Sequence, residues 1–217
     1  MPHADSLALP DTVVDKPTFY QHVADTLEAL LAPSSPEDPA QNFITCCSNA
    51  ASLLFGSYEN YSAAFGREDG KRVNWAGFYF LPSLLSRSPS SASSSTSPLT
   101  QLLLGPFHGR PACLSVSLVS TASRPVGVCA AGFLGRETVL VPDVNKRPGH
   151  IACDGVTQSE VVVPVVVKRK DEQGGEVEEV VGVLDIDCEA VEAFDEQDKD
   201  GLELFVAALN RVVRWEL

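Results

Sequence analysis

Three cysteines in the central part of the chain, Cys113, Cys129 and Cys153, are spaced widely enough to sit on separate elements that a fold could bring together. Paired thiols of this kind can act as a nucleophile and a resolving partner. A sulfenic acid formed on one condenses with the other to a disulfide, which an external dithiol reduces. Free cysteines can equally serve as small buried hydrophobes, and the residues alone leave both readings open. The stretch from Asp143 to Val167 crowds His150, Cys153 and Glu160 onto a turn-rich segment that runs into the apolar stretch beginning at Val161. A histidine there could stabilise a thiolate, the nucleophilic form of cysteine, or donate a proton near neutral pH. It could also simply cap a turn.

Asp185 and Asp187 stand two apart in Val-Gly-Val-Leu-Asp-Ile-Asp-Cys, so a regular strand presents both on one face. Like charges in an apolar setting are costly unless a cation or a shared proton relieves them. A ligand ammonium would do so. Glu160 either joins this cluster or marks a strand start, and Cys188 points to the opposite face as a structural residue. Trp75 and Tyr79 share a strand face and could wall a small pocket or belong to the core.

These groups need elements to hold them. Apolar spacing predicts a helix over Phe19–Leu31 and a second over 40–55, with Phe43, Ile44, Cys47, Ala51 and Leu54 facing inward. Strands are expected at 73–80, 101–104, 112–119, 138–141, 160–167 and 179–187. Gly105–Pro111 reads as a turn, 127–134 as a short helix, and Lys168–Glu178 as a charged hairpin. A last helix begins near Asp195, its acidic start and basic end suiting the helix dipole. Residues 1–17 read as an arm and 18–217 as one domain, with a Ser-rich loop at about 82–98 that cannot build a core. The fold class is α/β, a largely antiparallel central sheet flanked by helices that cover one side.

A net charge of −13 argues against a nucleic-acid partner. The apolar run at 161–167 is too short to span a membrane. No basic segment followed by an apolar core opens the chain, so a cytoplasmic protein is expected. No Cys-x-x-Cys pair or other zinc template is present, and structural zinc is not expected. Phosphate-binding glycine loops and a Gly-x-Ser-x-Gly elbow are also missing from the sequence.

Six motifs occur in one order: Asn74-Trp75-Ala76-Gly77-Phe78-Tyr79, Leu104-Gly105-Pro106-Phe107, Pro142-Asp143-Val144-Asn145, Gly149-His150-Ile151-Ala152-Cys153-Asp154, Ser159-Glu160-Val161-Val162-Val163-Pro164 and Gly182-Val183-Leu184-Asp185-Ile186-Asp187. Together they resemble the free methionine-R-sulfoxide reductases, enzymes built on a single GAF domain. The resemblance implies reduction of free L-methionine (R)-S-oxide, recycling by thioredoxin, no cofactor or metal, and suggests a homodimer. It implies that Cys153 is the nucleophile, Cys113 the resolving thiol, and Cys129 an alternative nucleophile or auxiliary thiol. Glu160, Asp185 and Asp187, with Asp143, correspond to an acidic pocket, Trp75 and Tyr79 to its aromatic wall. One of the carboxyls, Glu160 or an aspartate, would be the acid. Ala130 departs from the glycine usual after the middle thiol. The alternative reading is a GAF sensor module that binds a small molecule without catalysis.

Overall fold

The valine-rich runs around Val161 and Val181 become the two longest strands. In the computed structural model, which describes residues 6–35, 38–66, 70–85, 99–121, 125–150, 154–171 and 173–215, they are β5 (Ser159–Lys170) and β6 (Glu176–Cys188). They pair with β1 (Val73–Phe80), β2 (Gln101–Gly109), β3 (Ser115–Ser117) and β4 (Val139–Val141) in the order β3-β2-β1-β6-β5-β4, every pair antiparallel. Strand β1 is buried along its whole length, as expected for an interior strand packed on both faces.

Helices α1 (Lys16–Leu30), α2 (Phe43–Asn60) and α5 (Glu196–Val212) cover one face. There Ala76, Phe78, Phe80, Val161, Val163, Leu184, Ile186 and Cys188 meet Phe19, Leu27, Leu54, Leu202 and Phe205. A one-turn helix, α3 (Pro82–Leu85), follows β1; the rest of the Ser-rich segment lies outside the described residues. Helices are not confined to one side, however. Helix α4 (Val128–Gly135) packs on the opposite face, where Val128, Cys129, Ala130 and Phe133 join Trp75, Tyr79, Val162 and Val183. Its Val-Cys-Ala-Ala-Gly-Phe sequence has no polar stripe to keep it at the surface, and a helix apolar all round is buried. No helix among the described residues is long and apolar enough to cross a membrane.

Other differences from expectation are local. Helix α2 continues to Asn60, and Ile44 is exposed, because the neighbouring Phe43 takes the inward position against Phe80 and Trp215. The Gly-Pro segment read as a turn is the second half of β2. The pairing of β2 with β1 slips between Leu104 and Phe107, placing Gly105 and Pro106 at a bulge. There the missing proline N–H costs no regular ladder bond. The charged hairpin is mostly strand, turning only at 171–175. Asn74 does not join the apolar face of Ala76. A register shift next to it lets its amide donate to Asp154 Oδ2 (3.1 Å) and Thr157 Oγ1 (3.0 Å).

Helices α1 and α5 are joined at their starts by a buried polar network. Asp195 caps α5 in a capping box with Asp198. Lys16 donates to Asp198 (2.5 Å) and Asp195 (2.8 Å). Tyr20 donates to Asp198 Oδ1 (2.9 Å), and its hydroxyl is 2.7 Å from that of Tyr58. Asp198 is fully buried, so Asp198→Ala leaves the Tyr20–Tyr58 hydroxyl pair one acceptor short and takes one of two carboxylates from a half-buried ammonium. A loss of about 2–3 kcal/mol in urea unfolding is expected; a loss below about 1 kcal/mol would mean that water replaces the carboxylate without penalty.

Candidate active site

Strand register assembles the acidic cluster. Glu160 on β5 pairs with Asp187 on β6, and Val162 pairs with Asp185. Glu160, Asp185 and Asp187 therefore share the sheet face covered by α4. The first turn of α4 brings Cys129 down onto them. Its Sγ lies 3.2 Å from Asp185 Oδ2 and 3.9 Å from Glu160 Oε1. On the other side of Glu160, His150 Nδ1 stands 3.4 Å from Oε2. These groups open into a cavity of about 440 Å³, which Cys113, Thr157, Ser115 and Ser117 also line. Val116, Val119 and Val128 supply an apolar part to the same wall. The cavity is thus acidic and thiol-bearing in one region and hydrocarbon-lined in another.

Electrostatics follow from the crowding. Burial, then the negative neighbours Asp185 and Glu160, push the Cys129 thiol well above the usual thiol range. Burial, then Glu160, pushes Asp185 well above an ordinary carboxyl, and burial with Asp185 and Glu160 does the same to Asp187. Asp185 and Asp187 therefore hold their protons more readily than ordinary carboxyls, and Cys129 ionises less readily than an ordinary thiol.

Other residues singled out in the sequence take varied places. Cys113 is half-buried at the cavity, and its carbonyl accepts a hydrogen bond from the Tyr79 hydroxyl (3.0 Å). Trp75 stacks between Tyr79 (5.8 Å) and Phe107 (5.6 Å). Its indole covers Gly77 so closely that a Cβ there would fall 2.5 Å from the ring. Neither Trp75 nor Tyr79 lines the cavity; both stand behind it in the core. The Trp75 Nε1 has no hydrogen-bond partner among the described residues.

Asp143 is not brought to the cluster. It caps the short turn Val144–Lys146, and hydrogen bonding from Lys146 at 2.8 Å holds its carboxyl below the ordinary value. With Pro142, Arg147 and Glu192 it borders a separate depression. Cys153 lies outside the described residues.

Two contributors escaped sequence reading. Thr157 lines the cavity, and Asp154 holds the turn before it by accepting from Val156 N (2.8 Å) and Thr157 N (3.0 Å). Burial works against the Asp154 charge, but these donors outweigh it and lower its pKa. The Asp-Gly signal for such a turn was present at 154–155; the partner in strand β1, Asn74, was not readable from it.

No family model matches the chain. It is 35% identical over 184 residues to the free methionine-R-sulfoxide reductase of Saccharomyces cerevisiae, covering 85% of this chain and 83% of that one. A solved GAF domain superposes with a TM-score of 0.70 at 32% identity, covering 99% of this chain and 98% of the other. The free methionine-R-sulfoxide reductase of Neisseria meningitidis, solved in complex with its substrate, gives a TM-score of 0.64 at 27% identity over 94% of each chain. Identity of 35% over 85% of the chain, on a GAF fold, makes this chain a member of the free methionine-R-sulfoxide reductase family of oxidoreductases.

Proposed function

We propose that the chain reduces free L-methionine (R)-S-oxide to L-methionine with its own thiols, which thioredoxin then restores. One observation carries the reading: thiols and buried carboxyls converge on a single cavity that also has an apolar wall. The substrate matches this set of surfaces. Its ammonium would displace the Asp187 proton and sit between Asp187 and Glu160, its methylene chain would lie on the valines, and its sulfoxide oxygen would take a proton from Asp185.

Attack of a cysteine thiolate on the sulfoxide sulfur, with a proton from Asp185 reaching the oxygen, releases L-methionine and leaves a cysteine sulfenic acid. A second thiol displaces that oxygen as water and closes a disulfide. The two thiols of reduced thioredoxin exchange with the disulfide and become oxidised themselves. Cys153 is the attacking residue and Cys113 the resolving one in this scheme. The raised thiol pKa of Cys129 supports that choice, because so little of it is thiolate near neutral pH. The half-buried setting of Cys113 suits a sulfur that must also meet an external reductant.

Thioredoxin-coupled turnover tests the proposal. Free methionine-R-sulfoxide is expected to be consumed, and its N-acetylated form to show kcat/KM lower by about 10²-fold or more, since the acidic cluster is then left without a cation. No turnover of the free amino acid would overturn the reductase reading. Equal kcat/KM for both substrates would overturn the ammonium-binding role of the carboxylates.

A further inference from the structure

The thiol and carboxyls under α4 form a donor set that suits something other than an amino acid. One ligand atom each from Cys129, Glu160 and Asp185 lies within 4.8 Å of the other two. The sulfur-to-oxygen separations of 3.2 and 3.9 Å bracket the edges of about 3.5–3.7 Å that tetrahedral zinc bond lengths require. All three residues are buried. A second observation points to a missing ligand. Asp185 is 6% exposed, yet its Oδ1 has no hydrogen-bond partner among the described residues. Buried polar atoms left in this way are costly unless a cation or donor engages them.

We propose that Cys129, Glu160 and Asp185 form a three-ligand site for a thiophilic divalent cation of the zinc class, its fourth position open toward the cavity and His150. This is not a structural zinc site, which would be closed by four protein ligands. On binding, the Cys129 and Asp185 protons pass to solvent, leaving a metal thiolate and a metal-bound carboxylate. The cation then occupies the ground that the substrate ammonium and sulfoxide need, so it inhibits turnover. Inhibition rests on the reductase reading; cation binding does not.

Cobalt(II) reports the site independently of activity. Added to the reduced full-length protein, it is expected to give a thiolate-to-cobalt charge-transfer band and visible bands of tetrahedral character, both bleached by one equivalent of Zn²⁺. The bands persist in Cys113→Ser/Cys153→Ser and vanish in Cys129→Ser. Glu160→Gln and Asp185→Asn weaken cobalt binding by at least about tenfold, with circular dichroism confirming that each variant is folded. Absence of the band in wild type, or its persistence at full strength in Cys129→Ser, overturns the site. Stoichiometric Zn²⁺ is expected to stop turnover and a chelator to restore it; undiminished turnover with the site filled overturns the inhibitory role. An enzyme inactive even without metal refutes the reductase reading instead, and the cobalt spectrum still decides the site.

Discussion

Cys153→Ser is expected to cut thioredoxin-coupled turnover of free methionine-R-sulfoxide by at least about 10³-fold, whereas Cys129→Ser costs about tenfold or less. The contrast comes from what surrounds the Cys129 sulfur. An attacking thiol must present a useful thiolate fraction. Cys129 is buried against Asp185 and Glu160, and both oppose its ionisation. Adding the substrate ammonium relieves some of that opposition but also pairs the carboxylates as anions, so Cys129 gains little. Serine keeps the shape and a donor at position 129 while removing the sulfur, so packing under α4 is preserved. Full activity in Cys153→Ser would move the nucleophile to Cys129 and refute this assignment.

Asp185→Asn is expected to lower kcat by about 10²–10⁴-fold, the range for a lost general acid, while making the substrate-free protein more stable. The proton is the reason for both. Burial and Glu160 raise the Asp185 pKa well above 3.8, so the folded protein keeps a proton that the unfolded chain releases. For a carboxyl shifted in this direction, folding stability falls as pH rises from about 4 upward. Asparagine has no such proton to lose. Its advantage is therefore absent below about pH 4 and grows toward neutrality, reaching about 1 kcal/mol or 2–4 °C in Tm at pH 8. The pH profile of kcat should change as well. In wild type the rate is expected to decline as pH rises through the Asp185 pKa, since the acid must be protonated, and that limb should disappear in the variant. A variant that is both active and no more stable would show that Asp185 carries neither the proton nor the strain.

Much of this arrangement was legible before any coordinates. Alternation along β1 and β6 placed Trp75 with Tyr79 and Asp185 with Asp187, and set Cys188 on the other side, because a side-chain period of two leaves little freedom. The segments that misled share one property: their local signal was stronger than their true context. Gly105-Pro106 carries turn residues, yet a bulge in β2 accommodates both. Helix α4 gave no stripe to say which face of the sheet it would cover. Asp143 sits in a motif of the right order, but its carboxyl is spent on capping a turn and pairing with Lys146. The link from Asn74 to Asp154 and Thr157 joins residues eighty positions apart, and no periodicity encodes such a meeting.

The outer part of the β5–β6 ribbon has a practical use. Beyond Val166 and Val180 neither strand pairs with β1 or β4; the arms pair only with each other, out to Lys170 and Glu176, with charged neighbours alongside, Lys168 with Glu176 (3.8 Å) and Arg169 with Glu179. Its tip is a tight turn in which the Asp171 carboxylate accepts from Gln173 N and Gly175 N, with Gly174 at a φ of 82°. Exposed polar pairs of this kind contribute little to folding, and loop tips accept added chain readily. A fluorophore or affinity peptide grafted there would project from the molecule while leaving the acidic cavity untouched, giving a handle for following binding in solution.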